Sequence, residues 1–223
     1  MRPIQKTINI AAADADGVAT AQTPADGVNL TINGALATGG VATLLYPGKV
    51  TLYSASNLST VVFTVTGLVL NQDGTRTVQS EALVGPNNGT VTSTLTFVTV
   101  TSVAVATAST FTTETVTVGN AAVGIGDGAW WPLDIYVPNQ VTTISCNILA
   151  SGSATYSVQY TNEDIWDPAV YATALAVAHP VAALTGATAD QTASTTTLMR
   201  AVRVNIASGA GQLRVTVVQQ STA

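Results

Sequence analysis

Few side chains in this sequence could carry out nucleophilic or acid–base catalysis. The single histidine is His179, and Pro180 follows it. A serine or cysteine nucleophile normally needs a neighbouring base such as histidine, and no G-x-S-x-G motif accompanies His179. We therefore interpret His179 as a structural residue and predict that the protein is not an enzyme.

Hydrolysis of a glycosidic bond needs two carboxyl groups that face each other across the sugar. The chain has twelve Asp and Glu residues, and most of them stand in predicted turns, where Asp accepts local backbone hydrogen bonds. These turn residues are Asp14, Asp16, Asp26, Asp73 and Asp127. Glu81 and Glu114 lie on or beside predicted strands without an evident partner. The sequence therefore indicates no catalytic pair of carboxylates.

Two acidic segments are candidate cation sites. Asp14-Ala15-Asp16-Gly17 has the start of a calcium-binding loop, but the twelfth position is Ala25 rather than glutamate. Glu163, Asp164 and Asp167 form the densest acidic group, and a solvated loop in which Asp167 caps a helix explains them better than bound Ca²⁺. We predict no metal site and no cofactor.

The three tryptophans are candidates for an interaction surface. Trp130 and Trp131 follow the glycine-rich segment 119–128, and Trp166 lies further along the chain. Tryptophan carries much of the binding energy at protein interfaces, so we predict that these residues are interface residues. The alternative is that their rings stack on a sugar.

The chain is poor in charge. Only 9% of its residues are Asp, Glu, Lys or Arg, against roughly a quarter in an ordinary soluble domain. A free monomer normally relies on interspersed surface charge for solubility, so this composition favours a protein that covers much of its surface with partners. We expect the chain to bind itself, with a trimer favoured over a dimer.

The composition also excludes several classes of partner. The net charge is −5 with seven Lys and Arg, so the basic patch that binds nucleic acid is missing. No apolar run approaches about 18 residues, so we expect no membrane span, and the first residues lack the apolar region of a signal peptide. Cys146 is the only cysteine, which excludes an internal disulfide and fits a protein made in the cytoplasm.

The pattern of residues 49–105 predicts β-sheet. Thr and Val dominate this segment and alternate with period two, so that Val61, Phe63 and Val65 fall on one face of an extended chain. β-branched residues fit a pleated sheet better than a helix. Gln72-Asp73-Gly74 is the predicted hairpin turn between two of the strands. We predict an all-β fold with two antiparallel β-sandwich or jelly-roll-like units.

The glycine-rich segment 119–128 predicts the boundary between two domains. The first, at 1–120, is a Thr/Val-rich β domain with a strand at 4–10 and an extended N-terminal arm after it. The second, at 121–223, is a β-sandwich domain.

Four strands are predicted in the second domain, at 142–149, 153–161, 201–206 and 213–219. Glycine-containing segments at Ser151-Gly152 and 208–211 are predicted to join them as hairpins. Between the two hairpins we expect either a helix or an extended crossover at 169–178. A surface loop that contacts a neighbour is predicted at 185–197.

Several segments resemble a widespread group of tailed-bacteriophage structural proteins. They are RPIQKTINI at 2–10, the whole of 50–105, YSVQYTNEDIWDP at 156–168 and RAVRVNIASGAGQLRVTVVQ at 200–219. The most specific part is the series Thr66-Gly67, Asp73-Gly74 and Gly85-Pro86-Asn87. Leu68-Val69-Leu70 departs from the group's pattern, which has more polar residues in that strand, and indicates an additional buried face.

The resemblance implies a virion component without known catalytic residues, assembled in the host cytoplasm. We favour an outer accessory role, either as a capsid decoration or cement protein or as a short head or tail fibre. Its partners would then be the major capsid protein or tail components. The chain is too rich in predicted strands for a portal, which needs long helices. The alternative function is a carbohydrate-binding adhesin or receptor-binding tail protein.

Overall fold

The computed structural model of the chain describes residues 3–71, 75–107, 113–134, 140–165 and 176–221. Antiparallel β-strands make up almost all regular structure in these ranges, where a 3-10 turn at Ala182–Leu184 is the single helical element. The predicted all-β fold of antiparallel sandwich or jelly-roll-like units is confirmed.

The strands in chain order are β1 (Ile4–Ile10), β2 (Asp14–Gln22), β3 (Asn29–Leu30), β4 (Ala37–Thr38), β5 (Val41–Gly48), β6 (Val50–Asn57), β7 (Val62–Leu70), β8 (Arg76–Val84), β9 (Asn87–Thr92), β10 (Phe97–Thr107), β11 (Val116–Asn120), β12 (Gly126–Asp127), β13 (Trp131–Pro132), β14 (Gln140–Thr161), β15 (His179–Pro180), β16 (Gln191–Thr195) and β17 (Ala201–Ser221).

The chain forms two compact units. The inserted unit is Ala13–Val123, and the split unit combines Met1–Ala12 with Gly124–Ala223. The predicted domains, 1–120 and 121–223, differ from these units chiefly in the first twelve residues. Those residues belong with the second half of the chain because β1 pairs with β17. Local sequence does not reveal such a partner, since the pairing joins distant segments.

The inserted unit is a β-sandwich. One sheet has the order β4-β5-β10-β7-β8, with β3 paired to β10, and the other has the order β2-β11-β6-β9. Phe63 and Phe97 from the first sheet share a fully buried core with Leu52 and Val118 from the second. The period-two alternation in the sequence therefore identified the face that the two sheets enclose.

β7 and β8 form a hairpin at one edge of the first sheet of this unit. Their residues pair in unbroken register from Val62 with Val84 to Leu70 with Arg76. The predicted turn residues Gln72-Asp73-Gly74 lie outside the described residues.

The segment after β1 is not the extended arm that we predicted. Residues Asp14–Gln22 form β2, an edge strand that pairs with β11. The Gln22 side chain fastens β2 to the segment that follows β3, because it accepts from the Thr31 amide and donates to the Thr31 carbonyl, both at 2.8 Å. Small and polar residues are weak strand formers, so β2 depends on pairing with β11 for its stability.

Two long strands organise the split unit. β14 has 22 residues and β17 has 21, and they pair antiparallel along nearly their whole length. Their register shifts between Leu149 and Ser153. The halves on either side of this shift contribute to one buried core, with Cys146 before it and Tyr156 after it. The paired strands therefore bend back over themselves and enclose a second core.

The predicted hairpin turns at Ser151-Gly152 and 208–211 are wrong. Both segments lie inside β14 and β17, so the four predicted strands are halves of two long ones. Glycine in a strand marks a bend or bulge as readily as a turn, which makes the two cases alike in sequence. The predicted alternation survives, since Val202, Val204 and Ile206 are buried.

Part of the predicted surface loop at 185–197 is also a strand. Gln191–Thr195 forms β16 and pairs with the first half of β14. Threonine is β-branched and suits an edge strand even where no apolar alternation marks one. The predicted helix or crossover at 169–178 lies largely outside the described residues.

Candidate functional site

The two acidic segments that are candidate cation sites form local hydrogen bonds and ion pairs. Asp14 and Asp16 lie in β2, where the Asp14 carboxylate accepts from the Asp16 amide at 3.3 Å. Asp164 forms an ion pair with Arg200 at 3.3 Å. Asp167 lies outside the described residues. Within the described ranges, no group of three or more His, Cys, Asp or Glu side chains could hold a metal ion.

His179 lies at the surface of the split unit. It is exposed on β15 and stands opposite Tyr160 of β14, with the two ring centroids 5.3 Å apart. This contact is an aromatic pairing across two strands.

The Cys146 thiol is fully buried beside Tyr156. Burial raises the pKa of Cys146 to about 12, and a hydrogen bond with Tyr156 offsets only part of that effect. Burial also raises the pKa of Tyr156, whose hydroxyl donates to the Ala189 carbonyl at 2.8 Å. Because the thiolate is the nucleophilic form, Cys146 is unsuited to nucleophilic chemistry in the folded protein.

Trp130 packs against an arginine on the face of the split unit's sheet that points away from the core. The Arg203 guanidinium lies 4.6 Å from the centroid of the Trp130 ring and 2.9 Å from the Asp127 carboxylate. Arg203 Nε donates to Gln159 at 2.8 Å, and Asn205 donates to Asp127 at 2.7 Å. The network holds one face of the Trp130 ring within its own unit.

Trp131 stands close to this network. It pairs with Val202 of β17, is half-buried and packs against the core of the split unit. Trp166 lies outside the described residues. The structure therefore places Trp130 and Trp131 against adjacent residues of β17, Arg203 and Val202. The role of all three tryptophans at an interface stays a prediction.

The two most exposed large apolar side chains, Val78 and Leu45, lie elsewhere, on an outer face of the inserted unit. We define the outer face as alternate residues from Val62 to Leu70 and from Arg76 to Val84, together with Leu45 of β5. Leu45, Val78 and Val84 are 65%, 73% and 58% exposed. Arg76 is the one charged residue of this set.

The sequence predicted an additional buried face at Leu68-Val69-Leu70 but did not predict the rest of the outer face. Leu68 and Leu70 in the departing Leu68-Val69-Leu70 segment lie half-buried on this face, whereas Val69 points into the core. Leu68 stands directly opposite Val78. The apolar character of the face therefore comes from cross-strand neighbours on β7 and β8.

Glu81 fastens β8 to the segment between β9 and β10. Its carboxylate accepts from the Thr94 amide and hydroxyl, both at 2.8 Å, and from the Leu95 amide at 3.0 Å. Burial raises the pKa of Glu81, but these hydrogen bonds and the charge of Lys49 outweigh it and hold the pKa below its ordinary value of 4.5. The ionised carboxylate therefore contributes to the stability of the inserted unit.

We expect Glu81→Gln to lower the free energy of unfolding at neutral pH by about 1 kcal/mol, since Glu81 is partly exposed. A depressed pKa gives stability that is present above 4.5 and is lost as pH falls through the folded-state value. The difference in the free energy of unfolding between Glu81→Gln and the unchanged protein should therefore become smaller in acid.

Denaturant unfolding of both proteins at a series of pH values measures this difference. Asp26→Asn, in an exposed turn, is the matched control and should leave the free energy of unfolding at neutral pH nearly unchanged. A gap between Glu81→Gln and the unchanged protein that stays constant down to strong acid would contradict the assignment.

No protein-family model matches the chain, and no curated protein does either. Among solved structures, the chain is similar to the major capsid protein P2 from bacteriophage PM2, at 11% identity over 97% of both chains and with a TM-score of 0.23. A TM-score this low does not show a shared fold or function. Within the described ranges, no helix has the length and apolar character to cross a membrane.

Proposed function

We propose that the protein is a non-enzymatic structural component of a phage virion. The outer face supports this most directly, because it is a regular sheet surface with exposed apolar side chains and one charge. Exposed apolar surface of this kind marks a site that assembly covers. The resemblance of the sequence to tailed-bacteriophage structural proteins agrees with this proposal.

Within that role, we propose an outer accessory position, as a capsid decoration or cement protein or a short head or tail fibre. The partners would be the major capsid protein or tail components and other copies of this chain, with a trimer favoured. A regular sheet surface with a single charge suits such contacts, because few charges would have to be buried when it meets a partner.

The proposal predicts that the chain is found in purified phage particles in many copies. Mass spectrometry of density-purified virions measures this, and absence of the chain from them would refute the virion role. Protease treatment of intact particles tests the outer position, since an outer protein is cleaved before the particle is opened.

A substitution on the outer face should prevent incorporation. Val78→Lys places a charge at an exposed position, so the chain should fold but be lost from particles. Ala55→Lys, at an exposed position on β6 of the other sheet, is the control and should be incorporated normally. Equal incorporation of both variants would show that assembly uses another surface.

The alternative function, a carbohydrate-binding adhesin, needs an aromatic ring that is free to stack on a sugar. Trp130 instead has Arg203 against its ring, and Trp131 is half-buried against the core. Glycan-array binding that Trp131→Ala abolishes, with assembly intact, would nevertheless favour the adhesin.

A further inference from the structure

β1 occupies an open edge of the split unit. Its seven residues pair with β17, from Ile4 with Val217 to Ile10 with Gly211, and β17 is its only partner among the described strands. Without β1, residues 211–217 of β17 would present unpaired backbone groups on that side. Such an edge is a template for another extended segment.

The side chains of β1 determine which segment fits this edge. Ile10 is buried in the core of the split unit, and Ile4 and Ile8 pack against it. Ile8 stands opposite Leu213, and Asn9 Oδ1 accepts from Gln212 Nε2 at 2.9 Å. The edge therefore suits this sequence in particular rather than extended chain in general.

The connectivity leaves β1 attached to its edge by non-covalent contacts. The chain runs from β1 into the inserted unit and returns to the split unit at Gly124. No loop of the split unit joins β1 to β17. The same segment of a second copy would therefore reproduce every backbone pair and every side-chain contact that β1 makes with this edge.

We propose that residues Ile4–Ile10 of a second copy bind at this edge, so that copies of the chain exchange β1. The proposal rests on the self-association proposed above and names the surface that carries it. Exchange of an identical element is a low-cost route to oligomers because the contacts are conserved. Because β1 stays linked to its own edge through the inserted unit, exchange needs copies that are crowded enough to compete with it, as on a particle.

Cross-linking between full-length variants tests the exchange. Thr7 and Arg214 are exposed and stand directly opposite each other in the β1–β17 ladder. Thr7→Cys and Arg214→Cys chains are mixed in denaturant, refolded together at high concentration and oxidised. Cys146 is fully buried and contributes no accessible thiol.

Exchange predicts that a bonded species at twice the 22.6 kDa chain mass forms in this mixture. It should not form with either variant alone, or when Arg76→Cys replaces Arg214→Cys. The Thr7→Cys, Arg214→Cys double variant, oxidised at high dilution, checks that the geometry permits a disulfide. If it forms none, Gln5→Cys and Thr216→Cys provide a second opposed pair.

Two results would overturn the exchange. One is an oligomer, seen by light scattering, in which the mixed single variants form no bonded dimer although the double variant forms its disulfide within single chains. The other is a chain that remains monomeric at every concentration, which would also remove the proposed self-association. The virion role is judged separately, by the mass spectrometry of particles.

Discussion

Replacing Gly67 by alanine is expected to destabilise the inserted unit by about 3 kcal/mol, as overpacking of a core does. Gly67 is buried in β7, between Val100 of β10 and Gln79 of β8. The register of β7 and β10 shifts on both sides of this point and brings the β10 backbone close. A Cβ at residue 67 would overlap the Thr99 carbonyl oxygen, so a strand backbone would have to move.

Thermal unfolding of Gly67→Ala should show a midpoint lower by about 12 °C for a unit of this size. Gly89→Ala is the matched control, because Gly89 also lies in a strand of the inserted unit and the nearest atom to its added Cβ is the Asn87 carbonyl oxygen at 3.8 Å. It should be neutral or stabilising by about 0.5 kcal/mol. Equal stability of the two variants would refute the close approach of β7 and β10.

Gly209→Ala is expected to destabilise the split unit by about 3 kcal/mol, through backbone strain and overlap together. Gly209 has a φ of 141°, which L-residues rarely adopt. Its added Cβ would overlap the Ser153 carbonyl oxygen and lie 2.8 Å from the Ala154 Cα. Both neighbours belong to β14 at the bend, so the substitution would force the two long strands apart.

The variant Gly186→Ala measures the cost of backbone strain without the cost of steric overlap. Gly186 has a φ of 64° in the same unit, and no atom lies within 4 Å of an added Cβ. Its cost should therefore be the strain alone, about 1 kcal/mol. Calorimetry or denaturant unfolding compares the two variants. If Gly209→Ala costs no more than Gly186→Ala, the bend does not depend on close contact between β14 and β17.

Sequence predicted those features that depend on local alternation. Val61, Phe63 and Val65 are buried, and so are Val202 and Val204, because side chains alternate between the faces of a strand whatever its partner is. The same reasoning gave the all-β class. It needed no knowledge of which strands are neighbours.

Features that depend on distant partners could not be predicted in this way. β2 and β16 carry weak local signals and become strands through ladders with β11 and β14. The residues at the bend near Gly209 have the same composition as those of a turn, so sequence does not distinguish the two. The outer face beyond Leu68-Val69-Leu70 was missed because exposure depends on which side of a sheet other layers cover, and alternation alone does not distinguish the two sides.

The β1–β17 pair also affects the order of events during synthesis. Asn9 and Gln212, which bond across this pair, are 203 positions apart. The inserted unit is complete once residue 123 has been made, but β1 must wait for β17, roughly 5 to 20 s later at usual translation rates. Throughout this interval each nascent chain carries an unpaired isoleucine-rich strand ahead of a folded unit. Chains growing side by side on one messenger therefore meet while β1 is still available to a neighbour.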